Sequence, residues 1–419
     1  MDIDDVEPRQ PSGWVTDWLI RKGLTRGNVA SLIDGFSRRI SEAGIPLWRL
    51  NYIVQTLHPL NRAALCRWRA DEQKVWTFTP PRYHQGKVPD RFATSPFKVV
   101  FETGKELRRR LEGGDAVIDF PILKDLVDEA FTDYVVFPLR FSDGQVNAIA
   151  CATKRPGGFS DWDLDELRRA VRALAGPLEV MQMRELSRTL LDVYLGRNTG
   201  HRVLEGVIER GSGETINAVV WFCDLRNFTD LSERLRTDWT IAVLNDYFEA
   251  VGEPIEELGG EILKFIGDAI LAIFPLGSED TPAQVAARAL KAVSGARQRM
   301  QALNERRRSE NKSALDFGIS LHVGDIIYGN IGAPKRLDFT VIGPAVNMVT
   351  RIEALTKELR RPVLVSRAFA DLAGIEGFET LGTFPLKGIE GGREVLAPKA
   401  LPEPPPRPAP PPMPGATTA

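Results

Sequence analysis

Apolar residues recur at alternating intervals of three and four from Leu164 through Leu167, Val171, Leu174 and Leu178 to Met181. That is the stripe of an amphipathic helix with a heptad-like seam. Ser160-Asp161-Trp162-Asp163 just ahead supplies an N-cap and an acidic first turn. Gly176-Pro177 interrupts the stripe and predicts a kink or a split. The pattern breaks at Glu185 and resumes imperfectly at Leu186, Leu190 and Val193. Two readings stay open: a helix packed on its own domain, or a parallel dimer helix joining two domains.

Upstream, Val29–Ala43 reads as an amphipathic helix, and Tyr52–Leu57 and Leu65–Ala70 as strands. Tyr134–Phe141 and Asn147–Thr153 flank Ser142-Asp143-Gly144-Gln145, a hairpin turn. A hairpin, a Gly-Gly-Phe-Ser loop and a long exit helix resemble the C-terminal half of a GAF-type sensor domain. This resemblance covers about 50 residues and implies an α/β, sensor-like domain over 28–158. No catalytic signature stands out there.

Downstream, Ala218–Cys223 is a short apolar strand running into Asp224-Leu225-Arg226-Asn227-Phe228-Thr229. A carboxylate at a strand end before a loop and helix suits a hard cation and a phosphate. Gly259 to Phe274 reads as two strands joined by a tight Gly267-Asp268 turn. Asp268 would sit at the hairpin tip, within reach of Asp224. Two such carboxylates can hold a pair of Mg²⁺ ions about 3.5–4 Å apart for in-line displacement at phosphorus. Lys264 lies on an otherwise apolar strand, where burial without a partner is costly. In Arg336–Glu353 a strand ends near Ile342, Gly343 turns the chain, and Pro344 fits a first helical turn. Asn347 and Arg351, four apart, share one helix face. Taken structurally, Arg351 would pair with Glu353 or its neighbours on the surface.

In order and spacing these segments resemble the catalytic domain of the class III nucleotidyl cyclases over about residues 215–397. The resemblance implies an α+β, ferredoxin-like or palm-like catalytic fold. It makes Asp224 and Asp268 metal ligands for two Mg²⁺ or Mn²⁺ ions per site, with the Leu225 backbone carbonyl beside them. Lys264 and Thr340 match base-recognition positions. Asn347 and Arg351 match the residues that orient the ribose and stabilise the transition state. Phe228 and Thr229 fall in the substrate loop, and Lys387 where the family places a lysine on the triphosphate. Adenine offers an acceptor at N1 and a donor at N6; a lysine only donates and a threonine hydroxyl can accept, so the pair selects ATP over GTP. Thr at the second position resembles subclass IIIb, whose likeness implies a bicarbonate response. The family usually has Gly where this chain has Asn227, a residue that tolerates left-handed dihedrals. The family's shared sites imply a homodimer in which Asp224 and Asp268 of one protomer meet Lys264, Thr340, Asn347 and Arg351 of the other.

Composition narrows the rest. The 419 residues predict two or three domains. With 54 Lys+Arg against 56 Asp+Glu, bulk attraction to nucleic acid or an acidic membrane is not expected. No apolar run is long enough to span a bilayer, and the acidic start lacks signal-peptide features. Cys66, Cys151 and Cys223 are scattered, as are the four histidines, so neither disulfides nor a zinc site is expected, and a reducing cytoplasm is. Ten of the 29 prolines fall between Pro398 and Pro414, predicting an extended tail, passive or a proline-recognition ligand. The basic segment Arg297–Lys312 reads as a solvated helix end. The expected layout is an N-terminal segment 1–27, a sensor-like domain 28–158, a helical linker 159–214, a cyclase domain 215–397 and a tail 398–419. The N-terminal domain would regulate through a small molecule, a protein or nothing.

Two competing functions remain. Gly259-Gly260-Glu261 is similar to the Gly-Gly-acidic hairpin of diguanylate cyclases, but that family's acidic-aromatic continuation is absent. A non-catalytic or weak dimeric sensor would leave six chemically matched positions without a purpose.

Overall fold

The computed structural model describes residues 13–25, 27–55, 63–79, 92–228, 233, 237–277, 280–389 and 391–401. The chain divides into two compact units, Met1–Val193 and Tyr194–Ala419.

The first unit contains α1 (Trp14–Lys22), α2 (Val29–Glu42), β1 (Arg49–Gln55), β2 (Ala63–Arg69), β3 (Lys74–Phe78), α3 (Pro96–Thr103), β4 (Leu107–Arg110), α4 (Pro121–Asp128), β5 (Asp133–Arg140), β6 (Val146–Thr153) and α5 (Asp161–Leu195). Its strands form one sheet in the order β3-β2-β1-β6-β5-β4, antiparallel at every pairing among the described residues. One face packs on α1, α2 and α5, the other on α3 and α4. The expected strands and the helix from Val29 are present, with ends within two residues except that β1 starts three residues earlier than expected, at Arg49. The hairpin closes as read, with the Gly144 amide donating to the Phe141 carbonyl at 3.1 Å.

Three expectations change here. Within the segment 1–27, α1 is not separate: Val15 and Leu19 are buried in the first unit's core. The linker 159–214 is divided between the units, since Leu164, Leu167, Val171, Leu174, Leu178 and Met181 lie in that same core while α6 belongs to the second unit. Finally, Gly176-Pro177 does not split α5, which runs unbroken through it. Each buried leucine contributes about 1.5–3 kcal/mol, so together they outweigh the roughly 3 kcal/mol penalty of a mid-helix proline. The Pro177 ring also packs against Gly23, with Cγ 3.0 Å from where a Cβ there would stand. Ser160 caps the helix as expected, its hydroxyl accepting from the Asp163 amide at 3.3 Å while the Asp163 carboxylate accepts from the Ser160 amide at 2.7 Å.

The second unit contains α6 (Arg197–Leu204), β7 (Gly213–Leu225), α7 (Thr237–Glu257), β8 (Glu261–Ile266), β9 (Ala269–Pro275), α8 (Pro282–Ser309), β10 (Phe317–Ala333), β11 (Arg336–Ile342), α9 (Pro344–Glu358), β12 (Val363–Ser366), α10 (Arg367–Ala373), β13 (Phe378–Pro385) and β14 (Gly392–Pro398). Seven strands run in the order β13-β14-β12-β10-β7-β9-β8, and β11 folds back on the far half of β10. Only the β10–β12 pairing is parallel among the described residues. One face packs on α7, α8 and α10; the other is covered by β11 and α9. Alternation along β7 divides the work: Trp221, Cys223 and Leu225 enter the first core, so Phe222 and Asp224 face the α9 side.

The basic end of α8 is less solvated than its composition implies. Arg299 is 7% exposed and pairs with Glu253 and Glu257, and Arg307 donates to the Ser313 carbonyl at 2.7 Å. The proline-rich segment 402–419 lies outside the described residues.

Candidate active site

The tip of the β8–β9 hairpin delivers Asp268 to the end of β7. Gly267 makes the turn with φ 65°, and Ala269 pairs directly with Asp224. Burial first, then the charges of Asp268 and Glu353, push Asp224 up to about 7. A cation bound between the carboxylates would offset that repulsion and favour the charged form of Asp224. The donor set is hard oxygen, which fits Mg²⁺ or Mn²⁺. Among the described residues no cluster of three or more His, Cys, Asp or Glu is arranged to hold a metal. Further ligands would therefore come from backbone, water or substrate phosphate. Leu225, whose carbonyl was expected to assist, ends β7 with its side chain in the core.

The loop after β7 is fastened by Arg226, which sequence reasoning passed over. Its guanidinium bonds Asp316 at 2.9 Å and the carbonyls of Thr356 and Arg361 at 3.2 and 3.3 Å. The carboxylate end of β7 is thereby tied to the C-terminal end of α9. Asn227 follows with φ 59°, the left-handed conformation anticipated for a glycine-like position. Phe228 packs on the neighbouring core, and Thr229 lies outside the described residues.

Lys264 stands on β8, but it is not buried: its side chain is 44% exposed and donates to Asp338 Oδ2 at 2.6 Å. β8 is an edge strand, so a charged side chain there remains in water. Asp338 is two residues before Thr340 on β11 and therefore on the same face. The structure thus brings Lys264 to the Thr340 strand. The i, i+2 spacing from Thr340 was the available signal for Asp338.

α9 separates two sets of residues. Val349, Ile352 and Thr356 are buried against the sheet, whereas Asn347 and Arg351 are exposed on one face. Residues two apart are about 200° apart around a helix, so Arg351 and Glu353 point in different directions and do not pair. Glu353 is instead raised by burial and feels Arg226 and Asp268. Arg351 makes no ion pair or side-chain hydrogen bond among the described residues. Lys387 is exposed in the turn after β13 and is likewise unpaired among them. Within one chain, then, the carboxylates and Arg351 lie on different sides of α9. A groove of about 470 Å³ lined by Arg297, Asn304, Arg308 and Phe317 includes none of these residues.

The remaining polar candidates fall away. His322 is depressed to about 4 by burial and bonds Ser366 Oγ at 2.7 Å, and His201 is an exposed partner of Glu205. His58 and His84 lie outside the described residues. All three cysteines are buried and free.

Residues 212–394 match the family model described as the adenylate and guanylate cyclase catalytic domain. The chain is 36% identical over 165 residues to the adenylate cyclase of Anabaena cylindrica, covering 38% of this chain and 32% of that one. It is 30% identical over 168 residues to adenylate cyclase 1 of Rhizobium meliloti, covering 40% and 25%. The chain thus spans a third or less of the length of these two relatives. Among solved structures, the adenylyl cyclase CyaB from P. aeruginosa aligns at 26% identity and TM-score 0.40 over 44% of this chain and 94% of that one. The guanylyl cyclase Cya2 aligns at 28% identity and TM-score 0.41 over 46% and 96%.

Proposed function

We propose that residues 212–394, a catalytic domain of the adenylate and guanylate cyclase family, convert ATP to 3′,5′-cyclic AMP and pyrophosphate. The observation that carries this reading is the Asp224–Asp268 pair at the hairpin tip, together with an Arg351 unpaired among the described residues and a Lys264 that Asp338 holds to the strand of Thr340. Asp224 and Asp268 would hold divalent cations, which when bound supply Lewis acidity at the ribose 3′-hydroxyl and charge neutralisation on the triphosphate. Arg226 keeps that carboxylate loop in place. Lys264, held toward β11 by Asp338, has N–H groups to spare for adenine N1, while the Thr340 hydroxyl accepts from the N6 amino group. Asn347 orients the ribose so that its 3′-oxygen lies in line with the α-phosphorus. Arg351, with no partner to give up, meets the charge that develops on the α- and β-phosphates, and Lys387 the triphosphate. The 3′-oxygen–phosphorus bond forms as the bond to pyrophosphate breaks, and the hydroxyl proton leaves to solvent.

The opposed faces of α9 support a site shared between two copies of the chain. Phe265 and Ile266 on β8, Ile327 on β10 and Ile342 on β11 are 45–50% exposed, an apolar surface that a second copy would cover. In this reading the first unit is a GAF-like sensor, supported by its hairpin and exit helix. No helix among the described residues is long and apolar enough to cross a membrane. Purified chain given Mg²⁺ or Mn²⁺ with ATP or GTP, followed by product identification, tests the reading. Cyclic AMP from ATP supports it; cyclic GMP as the main product overturns the base assignment, and no cyclic product overturns the activity.

A further inference from the structure

We propose that the first unit binds a small oxyanion, a carboxylate or a phosphate, on the sheet face that carries Arg49, Asn51 and Arg67. In the β1–β2 register Arg49 lies opposite Arg69 and Asn51 opposite Arg67, so all four share one face. Arg69 is satisfied by Asp71 at 2.9 Å and Glu129 at 2.7 Å. Arg49 is not. It is 5% exposed, its Nε is buried without an acceptor, and the nearest carboxylate is Glu129 at 3.9 Å, already engaged by Arg69. Arg67 is exposed and has no ion pair among the described residues.

An under-compensated cation and an exposed one therefore sit within electrostatic reach of each other. Burial and then Arg67 lower Arg49 to about 10, yet an arginine keeps its charge at neutral pH. A buried guanidinium whose one counter-ion is distant and shared, and which faces a second cation, favours an anion between them. Their cross-strand neighbours on β6 supply no polar partner: Arg49 faces Ala152 and Asn51 faces Ala150. Asn51 Oδ1 is buried with no donor, which suits a ligand that also carries an O–H, such as hydrogen phosphate or a hydroxy acid.

Isothermal titration of the full chain with inorganic phosphate and, separately, sodium acetate tests this, with chloride at equal ionic strength as the blank. The titrations use an Arg351→Ala/Lys387→Ala background, so that the expected phosphate contacts of the second unit do not contribute. The expected result is saturable binding of at least one anion, weakened about tenfold or more by Arg67→Ala, the loss of one charge-assisted contact, and abolished by Arg49→Gln. Preference for phosphate or for acetate identifies the ligand chemistry. If neither anion binds, or if Arg67→Ala leaves the affinity unchanged, the site does not exist. Should Arg49→Gln fail to fold, the exposed Arg67 variant decides alone.

Discussion

Burial, then the charges of Asp268 and Glu353, raise Asp224, and pH dependence follows from that. A carboxylate whose folded pKa, about 7, exceeds its ordinary 3.8 binds a proton more readily folded than unfolded. Stability of the cation-free chain should therefore fall as pH rises from about 4 to about 7. Divalent cation binds the charged pair, so Mg²⁺ should raise the melting temperature clearly at pH 8 and hardly at pH 5. Melting curves at both pH values check this; equal shifts would place the cation elsewhere. Asp268→Asn removes one of the like charges and should reduce the fall in stability, leaving the part due to burial and Glu353. At Asn227 the backbone is already left-handed, and the side chain's contact is a 3.5 Å bond from exposed Lys357. Asn227→Gly should change stability by less than about 1 kcal/mol and leave turnover near wild type. A large rise in rate would mean that the side chain hinders phosphate approach.

At the scale of elements, the β8–β9 hairpin is anchored at one end and free at the other. Glu261, 7% exposed at the start of β8, accepts from Tyr328 at 2.9 Å, Asn198 at 3.1 Å and Thr199 at 3.2 Å. This buried carboxylate joins α6, β8 and β10. Tyr328→Phe removes one donor and should cost about 1–3 kcal/mol, read from the denaturant transition of the second unit. No change would mean that the two remaining donors satisfy Glu261. Three residues later, Lys264 and Asp338 form an exposed pair worth at most about 1 kcal/mol. Asp338→Asn should leave stability nearly unchanged while raising KM for ATP. Unaltered kinetics would remove Asp338 from base recognition.

For the whole molecule, the decisive question is whether two copies complete one site. With isologous pairing, an Asp268→Ala chain and an Arg351→Ala chain mixed at random form heterodimers in about half of the dimers, each with one intact site. Roughly a quarter of wild-type activity should return. Heterodimers that form but stay inactive would refute a shared site.

Much of this molecule was legible in its residues. Strand and helix periods located β1, β2, β5, β6, α2 and the hairpin to within three residues, because apolar alternation and turn chemistry are local. The Asp224–Asp268 meeting was legible for the same reason, since a two-residue turn leaves the register little choice. Three features depended on packing. Pro177 stays within a continuous helix because its neighbours bury enough apolar surface and Gly23 leaves room for the ring. Lys264 remains in water because β8 lies at a sheet edge, which no one-dimensional pattern records. Arg49 keeps only a distant, shared counter-ion because Glu129, placed by the fold between two arginines, gives its closer contact to Arg69. Local chemistry determined which residues could act; non-local pairing decided which of them meet, which stay exposed, and which are left with unpaired charge.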